Sequence, residues 1–124
     1  MLLINENASR TTTTAAGVMS GLAAPSQGST ELSSWRVRMA SGARGPVHAV
    51  DREQIWMPVA GTLVVTVDGK TERVGSGQAV ILPAGVMRQI SAPDEPAEAL
   101  VCMPVGGRAT LPGTDAAIPL PWAE

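Results

Sequence analysis

From Trp35 onward, apolar and polar positions alternate. Trp35, Val37 and Met39 are separated by Arg36 and Arg38, the period of two that marks a strand with one buried face. Similar short runs follow at 47–50, 54–60, 63–67, 70–74, 79–82, 86–91 and 97–103. In the run 63–67, Val64 and Thr66 fill the alternate positions, so both faces of that strand are expected to be covered. The breaks between runs carry turn chemistry: 41–46 with Gly42, Gly45 and Pro46, then Gly75-Ser76-Gly77, Pro83-Ala84-Gly85 and the loop 93–96. Asp68-Gly69 is the strongest hairpin signal. About eight short strands with turns every eight to twelve residues, and no helical period, predict an all-β sandwich or barrel. Pro58 inside a run points to a bulge or an edge.

Residues 1–34 are less regular. Four consecutive threonines (Thr11 to Thr14) stand among Ser, Gly and Ala. This predicts an irregular arm with one strand and a short turn. Met1 to Ile4 is read as a strand that pairs with a neighbour, in this subunit or another. The chain thus divides into an arm at 1–34, a barrel at 35–103 and a Gly/Pro-rich tail at 104–124 packed on the barrel.

Composition sharpens this picture by exclusion. The 13 Gly and 10 Pro among 124 residues break long helices and suit short strands. A net charge of −2, with neither Phe nor Tyr, argues against nucleic acid as a partner. No run approaches the ~18 apolar residues of a membrane span, and Met1 to Ile4 ends at Asn5 without a signal-peptide pattern. The expectation is a cytoplasmic protein with no membrane partner. A single cysteine excludes an intrachain disulfide and a multi-cysteine zinc site. Cys102 sits in an apolar run and reads as a structural thiol.

Residues 48–61 and 77–88 resemble the two signature motifs of the cupin family. In the first, Gly61 follows Gln54 after six intervening residues. Counting back, Gly42 falls on the opening glycine, His48 on the first histidine ligand, Val50 on the second and Gln54 on the glutamate. In the second, Gly77 is followed by five residues and then Pro83-Ala84-Gly85. Arg88 then stands where the last histidine ligand belongs, and Ala92 where the asparagine belongs. The resemblance implies a double-stranded β-helix, the cupin jelly-roll barrel, with a pocket at its mouth. It also implies a homodimer with the N-terminal arm on the partner.

The resemblance further implies one divalent metal held by three histidines and a glutamate, and here this sequence departs. Only His48 survives. Val50 cannot ligate, Gln54 offers a neutral amide oxygen, and Arg88 brings a permanent positive charge to the place of a cation. At ~4 Å two unit charges repel by about 4 kcal/mol at an effective dielectric of 20. The expected site therefore has no metal and no cofactor. A divalent ion at His48, with Glu53 turned inward by a one-residue register shift, is the disfavoured alternative. Asp51, Arg52 and Glu53 otherwise read as a solvated turn.

The remaining candidates follow from this reading. His48 and Arg88 are the candidate catalytic pair: a proton carrier near neutral pH and an anion clamp. Gln54 and Trp56 are candidate ligand-binding residues. Gln54 could bond a ligand or satisfy His48; Trp56 could line the pocket or serve the core. Arg88, if inward-facing with Val86 and Ile90, needs an anion, an internal acid such as Glu53, or a route to water. Met57, Met87 and Met103 read as packing residues, and Arg36 and Arg38 as a solvated face. The function expected is binding of a small anionic molecule, with proton-transfer catalysis (isomerase, cyclase or lyase). The alternatives are a non-catalytic sensor and a metal-dependent oxygenase or cyclase with a reduced ligand set.

Overall fold

The computed structural model describes residues 1–124. Its strands are β1 (Thr11–Thr13), β2 (Val18–Gly21), β3 (Leu32–Met39), β4 (Ala43–Arg44), β5 (Ala49–Val50), β6 (Gln54–Ala60), β7 (Thr62–Val67), β8 (Lys70–Gly75), β9 (Val80–Leu82), β10 (Arg88–Ala92), β11 (Ala97–Pro104), β12 (Arg108–Thr110) and β13 (Ile118–Pro119). They form a six-stranded sheet in the order β1-β2-β3-β11-β6-β9 and a four-stranded sheet in the order β4-β10-β7-β8. A small sheet, β13-β12-β5, adds the C-terminal tail. Ladders between sequence-distant strands, such as β3 with β11 and β7 with β10, are antiparallel. The chain crosses between the two main sheets from β6 to β7, from β8 to β9 and again on each side of β10, which gives the jelly-roll barrel that the alternation and turn spacing predict.

The period of two decides what lies inside. On β3, Ser33, Trp35, Val37 and Met39 are buried, while Arg36 and Arg38 face outward. On β11 the buried set is Ala97, Ala99, Val101 and Met103, and on β7 it is Leu63 and Val65. All of these except the polar Ser33 belong to one core of 18 buried residues shared by the two main sheets. Each large apolar member contributes about 1.5–3 kcal/mol over its exposed state.

Two turns fix the register. Val67 pairs with Lys70 across the two-residue loop Asp68-Gly69, and both loop residues have positive φ, 49° and 76°. That geometry matches the right-handed twist of the flanking strands. Gly61, at φ 68°, turns β6 into β7 where a Cβ would lie 2.1 Å from the Pro96 carbonyl oxygen. A bulge interrupts the β6–β11 register beside Pro58, as its missing N–H leads one to expect.

Several expectations are corrected. The arm carries two strands rather than one, and both extend the six-stranded sheet beyond β3. Met1 to Ile4 forms no ladder within its own chain. Instead Glu6 anchors the arm by ion pairs to Arg36 and Arg38, which also meet Glu98. These arginines are therefore paired, not merely solvated. The presumed turn at 41–46 contains β4, which pairs with Ser91 and Ala92. The run 86–91 becomes β10 only from Arg88, after the left-handed Gly85 at φ 80° has redirected the chain. The outer face of β7 is only half covered, with Val64 and Thr66 half-buried. No helix is long and apolar enough to cross a membrane.

Candidate functional site

Two strands, β6 and β10, and the bridge residue before β5 deliver the site. The turn Pro83-Ala84-Gly85 is tied to β5 by a bond from the Gly85 N–H to the Val50 carbonyl, 2.8 Å. Three residues on, Arg88 and His48 exchange both backbone hydrogen bonds, at 2.9 and 3.0 Å. This isolated antiparallel bridge sets the two side chains beside each other. Gln54 opens β6, and Trp56 shares its inward face two residues on.

The Arg88 guanidinium lies inside the barrel with the residue 2% exposed, and Gln54 is equally buried. Arg88 Nη2 donates to Gln54 Oε1 at 2.7 Å, and Trp56 Nε1 donates to the same oxygen at 3.0 Å. The amide is thereby oriented: its oxygen serves two donors, and its NH2 faces the Met103 sulfur at 3.5 Å. His48 Nδ1 lies 2.9 Å from the Pro46 carbonyl oxygen, which can only accept. The ring proton therefore sits on Nδ1, and the Nε2 lone pair points at Arg88 Nε and Nη2, each 3.4 Å away. Those are long contacts beside the 2.7 Å charge-assisted bond to Gln54.

The charge balance is unusual. Arg88 takes part in none of the chain's ion pairs. Its Nη1 is buried and finds no acceptor in the protein. Burial pushes the guanidinium down to about 10, so it is still charged at neutral pH. Burial also pushes His48 below its ordinary 6.5; the Pro46 bond opposes this, and the Arg88 charge adds to the depression. His48 is thus a neutral base in waiting beside a buried cation.

The structure brings three of the sequence candidates, His48, Gln54 and Arg88, into one cluster, with Trp56 attached through Gln54. Several weighed readings are corrected. Gln54 satisfies Arg88 and Trp56, not His48. Glu53 and Asp51 are exposed, and Asp51 instead accepts the Arg108 N–H. No acid pairs with Arg88, and its side chain does not reach water. Neither the Pro46 carbonyl nor the Met103 sulfur was legible beforehand, because backbone carbonyls and packed thioethers carry no motif. A groove of about 440 Å³ lies away from this cluster, on the outer face of the four-stranded sheet, lined by Arg44, Val64, Thr66, Gln89 and Ser91. Gln89 and Ser91 alternate with Arg88 and Ile90, so groove and buried cluster lie on opposite faces of β10.

The residues present do not fit a divalent metal. The acceptor atoms of His48 and Gln54 both converge on a guanidinium, which fills the position a cation would need. No group of three His, Cys, Asp or Glu side chains lies close enough to hold an ion elsewhere.

Known proteins place this geometry. Among solved structures, the chain is similar to a cupin 2 domain-containing protein from Halorhodospira halophila, with a TM-score of 0.71 and 19% identity over 78% of this chain and 70% of that one. It is similar to the DMSP lyase DddQ from Ruegeria pomeroyi DSS-3, with a TM-score of 0.64 and 26% identity over 71% of this chain. The match spans only 46% of the lyase. KdgF from Halomonas sp. matches with a TM-score of 0.64 and 21% identity, over 72% of this chain and 78% of that one. No curated protein matches the sequence. The cupin domain family matches residues 35–103, more than half of the chain, from Trp35 within β3 to Met103, the last inward residue of β11. With its barrel and both motif scaffolds in place, the chain belongs to the cupin domain family.

Proposed function

We propose that this cupin binds a small anionic molecule at Arg88, without a metal, and that His48 transfers a proton to and from it. One observation carries the reading: a guanidinium buried at 2% exposure has only neutral partners. A buried charge without a counter-charge is costly, on the order of several kcal/mol, and an incoming anion relieves it. The DMSP lyase among the structural neighbours lends general support to small-molecule chemistry on this barrel.

The chemistry follows from the tautomer. Pro46 holds the His48 proton on Nδ1 and makes Nε2 the basic nitrogen, which gives up only its long 3.4 Å contacts to Arg88 when a ligand enters. A carboxylate seated on Arg88 brings a carbon that lies beside the ligand's carbonyl group near that lone pair. Nε2 then takes a proton from that carbon, and the released electron pair moves onto the carbonyl oxygen. Arg88 stabilises that oxygen, and the imidazolium returns the proton. No oxidant or reductant is needed. Isomerisation, cyclisation and elimination share this step.

The test uses pyruvate in D2O. Pyruvate should raise the melting temperature of the wild type and not of Arg88→Met. Deuterium should enter its methyl group faster with wild type than with His48→Ala. Stabilisation without exchange would leave a binding module and sink the catalytic half. If acetate, glycolate and pyruvate all fail to stabilise the wild type more than Arg88→Met, the anion reading fails.

A further inference from the structure

We infer that Gln54 is the residue that makes this site selective for anions, and that the ligand it admits is a small monoanion seated on Arg88 Nη1. The inference rests on the anion reading of Arg88 given above and adds which neighbour controls it.

The guanidinium is a planar fork of five N–H donors. Nε and Nη2 face His48 Nε2 along one edge. Nη2 also donates to Gln54 Oε1. What is left is Nη1, buried and without a protein acceptor. One nitrogen with two hydrogens suits one acceptor atom of a small ion, not the paired oxygens of a large polyanion.

Gln54 sets the charge that this nitrogen presents. Its Oε1 touches Arg88 more closely than any other atom of the cluster, at 2.7 Å. A glutamate would occupy the same volume and accept the same bonds from Arg88 and Trp56. It would also supply the missing counter-charge, and a closed ion pair inside the barrel would have little further attraction for an anion. The amide does the opposite: it satisfies the geometry of the guanidinium and leaves its charge uncompensated. The amide orientation is fixed from the far side by Trp56 Nε1 and the Met103 sulfur, so Gln54 cannot turn its NH2 toward Arg88 without losing both.

Trp56 also provides the readout, because its indole N–H shares an acceptor with Arg88. The chain has three tryptophans, so an indole ¹H–¹⁵N spectrum has three side-chain peaks, and Trp56→Phe identifies the relevant one. The experiment titrates acetate, with sulfate at matched ionic strength as control, into the wild type, Gln54→Glu and Gln54→Met. Gln54→Met keeps position 54 uncharged and guards against a glutamate variant that fails to fold. The expected result is a saturable acetate shift of the Trp56 peak in the wild type. Gln54→Glu should weaken acetate by roughly tenfold or more. Gln54→Met should still bind acetate, read from the melting temperature, since its Trp56 loses the shared acceptor. Equal acetate affinity in wild type and Gln54→Glu would overturn the inference while leaving the anion site standing. Loss of binding in a folded Gln54→Met would overturn it too, by making the amide and not the absent charge responsible. A wild type that does not respond to acetate would remove the anion site itself.

Discussion

Arg88 Nη2 lies 2.7 Å from Gln54 Oε1, and this bond joins the start of β10 to the start of β6 across the barrel. It is the shortest contact of the guanidinium, and its partner is neutral. The next partner, His48, is neutral as well. The barrel therefore holds a full positive charge in a place where apolar packing would ordinarily be more stable.

Removing that charge should stabilise the fold. Arg88→Met keeps an unbranched side chain, shorter than arginine and without its charge, and lets Trp56 go on satisfying Gln54 Oε1. The expected gain is about 1–3 kcal/mol in unfolding free energy, measured by urea denaturation at neutral pH. A loss of that size would mean that the guanidinium is already compensated, and it would count against the site as described.

His48 predicts a pH dependence with a definite sign. Its folded-state pKa is held below 6.5 by burial and by the Arg88 charge. The unfolded chain therefore takes up the proton first as pH falls. The stability that His48 contributes is complete above the unfolded value and is lost as pH falls from about 6.5 through the lower folded value. His48→Gln should flatten this part of the profile. Glu6, whose carboxyl the Arg36 hydrogen bond holds below its ordinary value, loses its contribution only further into acid, so the two windows separate. An unchanged profile between pH 7 and 5 in His48→Gln would contradict the assignment.

The two motif glycines should differ in what they tolerate. Gly61→Ala would drive a Cβ into the Pro96 carbonyl oxygen and to 2.9 Å from the Ala97 Cα, on top of a positive φ. Backbone cannot step aside cheaply, and a cost of roughly 2–4 kcal/mol is expected. Gly77→Ala has a similar positive φ of 84° but nothing within 4 Å. It should cost about 1 kcal/mol, the conformational penalty alone. Thermal melts of the two variants side by side check the difference.

The metal site should be recoverable by substitution. Val50→His, Gln54→Glu and Arg88→His together replace the three departures from the family's ligand set and remove the buried cation. The triple variant should bind Zn²⁺ or Ni²⁺ measurably in a calorimetric titration, and the wild type should bind far more weakly. Equal weak binding by both would show that the motif positions do not converge as the alignment of residues implies.

Much of the architecture could be read from the chain, because alternation and turn residues are local. Trp35 to Met39, the Asp68-Gly69 hairpin and the Pro83-Ala84-Gly85 corner each announce themselves within a few residues. Strands without an alternating signal were not legible. β1 lies within four identical threonines, and β4 hides between Gly42 and Gly45, held in place only by β10. The site was legible as a set of residues and not as an arrangement. His48, Gln54 and Arg88 could be named from motif positions. That Gln54 serves Arg88 and not His48 depends on which way one amide faces, and Trp56 and Met103 decide that through contacts no spacing encodes. The exposed Glu53 likewise follows from the register of β6 against β9 and β11.

The most direct test of the central claim is an anomalous diffraction measurement on crystals grown or soaked in sodium bromide. Bromide is a small monoanion, and its anomalous signal locates it without reference to the rest of the map. The account predicts a peak inside the barrel within about 3.5 Å of Arg88 Nη1, absent from Arg88→Met crystals treated in the same way. Bromide peaks confined to surface arginines, with nothing beside Arg88, would contradict it.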